Sequence, residues 1–312
     1  MSVAVTVEDA VRQSVGYLGS EQAVESIRRD PYWPKWDSPW WHMTLLWELG
    51  ETDRIPNQVV EAMRDELVTH FLPFFPLREE TLPPEIDGYR HIVCHCAVGT
   101  MYQVMSSCGV DVDSEIPWMR PWIFRYQLPD GGLNCDEAAY TKPTPKSSIV
   151  STIPPLEAIL FHTPRDFTLE EIEFLDRGAE YLIAHRLYRT LGGMVIDGDW
   201  LDLCFPRFYY YDVLRGLRVL ARWAVVRGKD LPDDLVDDAV AVIENSLTGD
   251  GIQTRRRPWV GRKTLEWRGG DEWEVGLPVS SFALLDAVGV PGDPSPQLTT
   301  VWESVKDDLA RL

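Results

Sequence analysis

Five apolar helices predicted at nearly regular spacing are the feature that most constrains how this chain can fold. They begin near Ser38, Cys94, Ser148, Tyr209 and Val279, which lie 54 to 70 residues apart, and strongly charged segments lie between them. A repeated pair of helices, one two-faced and one apolar all round, is typical of a helical repeat protein. Because a helix that is apolar all round must be buried, we expect these five to form an inner wall and the charged helices an outer wall.

The predicted secondary structure is almost entirely helical. No segment shows convincing period-two alternation, so we expect an all-α fold with little sheet. Apolar periodicity and capping residues predict helices over residues 7–29, 39–49, 59–71, 92–108, 116–126, 149–161, 169–186, 209–223, 236–247 and 279–288. The alternation covers nearly all 312 residues, which predicts a single domain over residues 1–312.

Charge and composition restrict the partners of this chain. Thirty basic residues against 49 acidic residues give a net charge of -19, so nucleic acids and anionic membranes are not expected partners. No apolar stretch approaches the roughly 18 residues that a membrane span needs. The first twenty residues carry Glu8 and Asp9 instead of a basic start and an apolar run. Five cysteines without paired spacing predict free thiols in the reducing cytoplasm.

A turn motif recurs between outer and inner helices. Residues 127–133 read Gln-Leu-Pro-Asp-Gly-Gly-Leu, and residues 191–195 and 247–252 are weaker copies. The glycines permit positive φ where the chain reverses, and Asp130 can bond backbone N–H groups, so we interpret Asp130 as structural.

The Gln-x-x-Asp-Gly-Gly turn, followed by a large apolar residue, resembles the repeat turn of squalene-cyclase-like and protein-prenyltransferase-like α/α toroids. Leu133 stands where that motif usually carries Trp. The resemblance implies an α/α toroid of about five helix-hairpin repeats around a central cavity. It also implies an enzyme, of a cyclase or transferase type, that acts on a small, largely apolar substrate such as an isoprenoid.

Polar and aromatic residues at the starts of the inner helices are the candidate site, because these helix ends converge in a closed ring. The candidate catalytic residues are Asp212, Tyr211, Arg207, His42 and Asp136. The candidate substrate-binding residues are Trp36, Trp40, Trp41, Ser148, Thr152 and Tyr210. The alternative for Asp212 is a structural ion pair with Arg207 at a helix start, and Ser148 and Thr152 are also suited to capping.

The segment 91–96, His-Ile-Val-Cys-His-Cys, offers metal ligands. Positions 91, 94 and 95 have helical spacing, so we expect His91, Cys94 and His95 to share one face. Cys96 and, from the next repeat, Cys135 complete the candidate set. Zinc binds these ligand types, and the toroid enzymes that this chain resembles hold a central zinc. The spacing matches no zinc motif that we can name, and the alternative is that the thiols pack in the core.

Two acidic strings are similar to the catalytic motif of class II terpene cyclases. Residues 111–114, Asp-Val-Asp-Ser, and residues 197–200, Asp-Gly-Asp-Trp, both depart from Asp-x-Asp-Asp, and the aspartate-rich motif of class I synthases is missing. The first function hypothesis is therefore an enzyme with a central aromatic cavity but without the standard cyclase motifs. The alternative is a non-catalytic toroid that binds a hydrophobic ligand or a peptide.

Residues 251–276 form a predicted long loop. It carries the basic run 255–257 and the residues Trp259, Trp267 and Trp273. Long loops often serve binding, so it could cover the pocket or hold an anionic head group; the alternative is a surface loop paired with acidic neighbours.

Overall fold

A computed structural model describes residues 6–76 and 79–312 of the chain. The described part is mostly helical, with two small sheets. Its α-helices are α1 (Val7–Leu18), α2 (Glu21–Arg29), α3 (Pro39–Glu48), α4 (Asn57–Thr69), α5 (His95–Ser107), α6 (Val112–Glu115), α7 (Met119–Arg125), α8 (Glu137–Tyr140), α9 (Ile149–His162), α10 (Leu169–Ala184), α11 (Val213–Arg227), α12 (Asp233–Glu244), α13 (Ala283–Ala287) and α14 (Pro296–Leu309). Short 3-10 helices span Thr52–Arg54, Glu79–Thr81 and Gly198–Leu201.

Four of the five predicted apolar helices are confirmed as buried helices: α3, α5, α9 and α11. Each packs against the next in the order of the chain. Helix α3 also contacts the segment before α11, because the Glu48 carboxylate accepts the backbone N–H groups of Arg207 and Phe208. Helices α5 and α9 approach most closely at Gly99, where a Cβ would lie 2.3 Å from the backbone of Pro154. Only glycine fits that contact.

The predicted helix over residues 7–29 is wrong in one respect, because it is two helices. The Ser20 side chain accepts a hydrogen bond from the Ala23 N–H and caps α2, so a new helix axis begins there.

The C-terminal part differs most from the expectation. The predicted fifth inner helix, residues 279–288, is reduced to the five residues of α13, which pack against α1. Helix α14, which was not predicted, packs against α11 instead. Ser295 caps α14 and Pro296 occupies its first position, a common helix start. No helix among residues 6–76 and 79–312 is long and apolar enough to cross a membrane.

The predicted loop over residues 251–276 is wrong, because most of it is an antiparallel hairpin. Strands β1 (Leu247–Thr248) and β2 (Gly251–Ile252) pair, and β3 (Lys263–Gly269) pairs with β4 (Glu272–Pro278). The guanidinium of Arg29 lies over Trp267, and that of Arg90 lies over Trp273. The hairpin is thereby fixed beside the end of α2 and the segment that precedes α5.

Arg255 of the basic run is exposed, whereas the other two arginines of the run bind the chain's own backbone. Arg256 donates to the Tyr211 carbonyl, and Arg257 donates to the Gly289 carbonyl. Their role is therefore to fasten the hairpin region to α11 and α13, not to offer free charge to a ligand.

The repeat turn is held as its chemistry predicts. Gly131 has a φ of 98°, which favours glycine, and the Asp130 carboxylate accepts from the backbone N–H and the hydroxyl of Ser147. The turn thus ties the end of α7 to the start of α9.

Aromatic rings and charges fill the interior between α3, α9 and α11. The rings of Trp36 and Phe208 stack at 5.1 Å, with Trp41 edge-on to both. Beside them, the Arg215 guanidinium and the Glu157 carboxylate form a buried ion pair with an N–O distance of 2.7 Å.

Candidate functional site

A cavity of about 1340 Å³ lies at the starts of α3 and α5. Its wall is formed by segments 32–35, 71–76, 80–90, 92–97 and 135–141. Aromatic and aliphatic side chains such as Phe71, Phe75 and Ile92 supply much of the surface, and charged groups such as Lys35 and Asp136 interrupt it. Polar and apolar groups thus share the wall, and a large cleft with apolar surface and converging polar groups is suited to a small molecule.

Three cysteine thiols meet at the wall of this cavity, where Cys94 and Cys135 line the space and Cys96 lies buried behind them. Cys94 is the N-cap of α5, Cys96 is the second residue of that helix, and Cys135 follows the repeat turn. The Sγ atoms of Cys94 and Cys96 are 3.1 Å apart, those of Cys96 and Cys135 are 3.6 Å apart, and all three lie within 4.8 Å. The Ser151 hydroxyl accepts the Cys135 N–H, which fixes Cys135 against the first turn of α9.

The surroundings favour a thiolate at Cys94. Hydrogen bonds from the Cys135 and Cys96 thiols, the backbone N–H of Ala97 and the positive charge of Lys35 hold the pKa of Cys94 well below its ordinary value. The same contacts with Cys135 and Cys94 raise the pKa of Cys96. A thiolate at a helix N-terminus is further stabilised by the free N–H groups of the first turn.

Lys35 brings a positive charge to the same wall. Its ammonium lies 2.9 Å from the Tyr209 hydroxyl and within 4.8 to 5.8 Å of the centroids of five aromatic rings. Burial lowers the pKa of Lys35, whereas the thiolate charges at Cys94 and Cys96 raise it. Aromatic faces attract an ammonium group, so the rings hold the cation in the cavity wall.

The two predicted histidine ligands lie apart from the thiols. The prediction that His91, Cys94 and His95 share one helical face is wrong, because α5 begins only at His95 and His91 lies in the preceding loop. The His91 ring accepts the Asp87 N–H. The His95 ring accepts from the Trp122 indole at Nδ1, which leaves its Nε2–H to donate to the Tyr140 hydroxyl. Both ring nitrogens of His95 are thereby occupied.

Four predicted catalytic side chains have structural contacts outside the cavity wall. Asp212 caps α11 and accepts hydrogen bonds from the Cys204 N–H and the Arg207 guanidinium. Its contact with Arg207 is the structural ion pair that the sequence analysis gave as the alternative to a catalytic role. Tyr211 donates to the Leu187 carbonyl. His42 stacks on Phe282 and its Nδ1 bonds the Ser14 hydroxyl. Asp136 differs from these four, because it lines the cavity.

None of the six predicted substrate-binding residues lines the cavity. Trp36, Trp40 and Trp41 are at most 1% exposed and pack in the core. The Thr152 hydroxyl bonds the Leu133 N–H and the Ser148 carbonyl near the start of α9. The remaining members, Ser148 and Tyr210, lie outside the wall as well.

Sequence reasoning missed Lys35, Tyr32 and Trp33, which line the cavity. A signal was present, because residues 32–36 read Tyr-Trp-Pro-Lys-Trp and place one lysine among aromatic residues. A lysine so placed is suited to an aromatic cage, whereas the predicted site began one residue later.

Comparisons of this chain with protein-family profiles, with curated proteins and with solved structures find no match.

Proposed function

We propose that this protein is an enzyme that binds a small, largely apolar molecule in the cavity and transforms it at the wall formed by the three thiols and Lys35. The observation that carries the proposal is that Lys35 and two members of this cluster, Cys94 and Cys135, line a cavity of about 1340 Å³. Groups with perturbed pKa values, gathered in a cleft, are typical of catalytic sites. The pKa shifts of Cys94 and Lys35 belong to this pattern.

The size and lining of the cavity support an apolar substrate. The volume exceeds the usual range of about 300–1,000 Å³ for small-molecule sites, so an extended molecule of the isoprenoid kind has room. Rings of Phe71, Phe75 and Trp33 offer apolar contact along the wall. Asp87, Arg90 and Asp136 can bind a polar end group.

The architecture that we propose is a single-domain α/α toroid of about five helix pairs. Three inner helices, α5, α9 and α11, pack in sequence, and α11 packs on α14. Helix α1 packs against both α3 and α13, which brings the C-terminal region back to the first inner helix. In such a ring the starts of α3 and α5 open at one end, where the cavity lies.

The proposed catalytic groups differ from those expected from the sequence. Cys94, Lys35 and Asp136 lie in the wall, whereas Asp212, Arg207 and Tyr211 have structural partners. The Cys94 thiolate is the nucleophile of this wall and the Lys35 ammonium its positive charge, so the proposed reaction class is group transfer or cyclisation begun by that nucleophile or by a metal ion held there.

A binding protein without catalytic activity is the second candidate. The observation that favours it is the apolar character of much of the wall, which includes Leu82, Ile86, Ile92 and Val93. Conversion of a bound compound separates the two, since the binder returns it unchanged.

Five free thiols support a place in the reducing cytoplasm, and the net charge of -19 disfavours nucleic acid as a partner.

Filling the cavity should abolish ligand binding without loss of the fold. Ala138 is exposed and lines the cavity, so Ala138→Trp places an indole in the space that a ligand needs. Calorimetric titration with isoprenoid alcohols of increasing length should show binding that weakens at least ~10-fold in this variant, about 1.4 kcal/mol. Native mass spectrometry of the purified protein should show the same loss for any co-purified compound.

Ala310→Trp is the matched control, because Ala310 is also exposed but follows α14, outside the cavity wall. It should bind the alcohols as the unaltered protein does. Equal binding by both variants, or no binding by the unaltered chain, would contradict the proposed site. Chromatography of the bound alcohols before and after incubation then tests the catalytic part.

A further inference from the structure

The three thiols that meet at the cavity wall have the spacing of metal ligands. Tetrahedral zinc with Zn–S bonds of about 2.3 Å places its sulfur ligands about 3.8 Å apart. The Sγ atoms of Cys94, Cys96 and Cys135 are separated by 3.1 and 3.6 Å along the two hydrogen-bonded edges, and none is farther than 4.8 Å from another. These separations bracket the tetrahedral value, so small side-chain shifts suffice to bind one ion.

A disulfide and simple core packing both account less well for this cluster. A disulfide needs an S–S distance of about 2.05 Å, and all five cysteines are free thiols. The remaining two cysteines show what isolated thiols look like here: Cys108 ends α5 with its pKa raised by burial to about 12, and Cys204 contacts the Asp212 carboxylate. Neither belongs to a group of ligand atoms among the described residues.

We infer that Cys94, Cys96 and Cys135 bind one divalent soft metal ion, zinc by preference, as three thiolates. Three sulfur–metal bonds form, and the protons of the thiols pass to solvent. Neither His91 nor His95 takes part, since the rings have other partners.

The charge of the three thiolates and Lys35, whose charge acts on Cys94 and Cys96, favours a divalent ion over a monovalent one. Three thiolates and a divalent ion carry a net charge of −1, which the Lys35 ammonium in the same wall balances. Monovalent copper, which thiolates also bind, would leave a net charge of −2. A buried excess charge is costly, so one lysine matches zinc better.

The fourth position of the ion would face the cavity. Among the described residues the ligand group has three members, and Cys94 and Cys135 both line the cavity. Catalytic zinc sites keep three protein ligands and one open position, whereas structural sites use four. Metal binding goes beyond the proposed function and does not depend on it, because the site forms whether or not an apolar substrate enters.

Metal analysis of the purified protein tests the inference. Elemental mass spectrometry should find about one zinc per chain. After removal of zinc with a chelator, titration with cobalt(II) should give a sulfur-to-cobalt charge-transfer band and tetrahedral d–d bands. Cys96→Ser and Cys135→Ser should weaken cobalt binding by at least the 10- to 100-fold that loss of an outer-shell partner costs. Cys108→Ser, at the opposite end of α5, should bind cobalt normally.

The inference is overturned if cobalt gives no charge-transfer band, or if Cys96→Ser and Cys135→Ser bind cobalt as tightly as Cys108→Ser. Circular dichroism shows whether each variant folds. Alkylation of the unaltered chain needs no variant: zinc should slow iodoacetamide labelling of Cys94, Cys96 and Cys135 but not of Cys108, and equal labelling with and without zinc overturns the site. Loss of alcohol binding in the cavity test leaves these results unchanged, so the two proposals fail separately.

Discussion

Lowering the pH from 7.5 to 5 should reduce the free energy of unfolding by about 2 kcal/mol for each of two buried histidines, because both must stay neutral in the folded chain. Burial lowers the pKa of His42 to about 3 and that of His95 to about 4. The unfolded chain takes up these protons near pH 6.5, whereas the folded chain does not. Stability is therefore complete above pH 6.5 and falls by up to about 1.4 kcal/mol per pH unit for each histidine until the folded pKa is reached.

The contacts of these rings explain why protonation is unfavourable. Both are buried among aromatic side chains, with His42 stacked on Phe282 at 3.8 Å. In His95 the nitrogen that would gain a proton accepts the Trp122 indole N–H, so protonation would set two donors against each other.

Urea unfolding followed by circular dichroism at the two pH values measures the loss. In His95→Gln the difference between the free energies of unfolding at pH 7.5 and pH 5 should be smaller by about 2 kcal/mol, even if that variant is less stable at both pH values. His185→Gln serves as the control, since His185 follows helix α10 and bonds the Arg189 carbonyl. An unchanged pH difference in His95→Gln would contradict the burial argument.

Replacement of Arg215 by methionine should destabilise the protein by about 3–5 kcal/mol, because it leaves the Glu157 carboxylate buried without its partner. Both side chains are 3% exposed, and their shortest N–O distance is 2.7 Å. Although burial raises the pKa of Glu157, the charge and hydrogen bonds of Arg215 hold it below the ordinary value. The guanidinium also donates to the Tyr210 carbonyl at 2.7 Å, a bond that would be lost.

The double variant Glu157→Gln/Arg215→Met separates the two costs. It removes the unpaired charge and keeps a polar group for Gln103, so it should be more stable than Arg215→Met alone. Thermal and urea unfolding of the three proteins provide the comparison. If the free energy of unfolding of Arg215→Met lies within about 1 kcal/mol of that of the unaltered chain, the ion pair contributes little to stability.

Helix burial was predictable because it depends on local composition. Helices α3, α5 and α9 are rich in apolar residues on every side, and such helices must be covered wherever they lie, whereas α11 carries four arginines among its apolar residues. Their starts carried local signals too, such as Ser38-Pro39 before α3. The missed helix α14 had the same Ser-Pro start, but its charged composition hid its apolar face.

The candidate site was only partly predictable. Cys94, Cys96, Cys135 and Asp136 were identified by residue type, but their meeting depends on the packing of α5 against α9 and on the bridge between Leu133 and Ser148. The spacing of residues along the sequence does not reveal such long-range contacts.

The same limit explains the polar residues that were misplaced. His91 and His95 looked like ligands only under a helix boundary several residues too early. Asp212 and Thr152 bond the backbone near helix starts. Polar residues at a helix start look the same in the sequence whether they cap the helix or line a site.

Zinc K-edge X-ray absorption on the purified protein tests the cysteine cluster most directly. The expected first shell has three sulfur atoms at about 2.3 Å and one oxygen or nitrogen atom at about 2.0–2.1 Å, as three thiolates with an open position require. A shell of oxygen and nitrogen alone, or a protein that binds no zinc, would contradict the site formed by Cys94, Cys96 and Cys135.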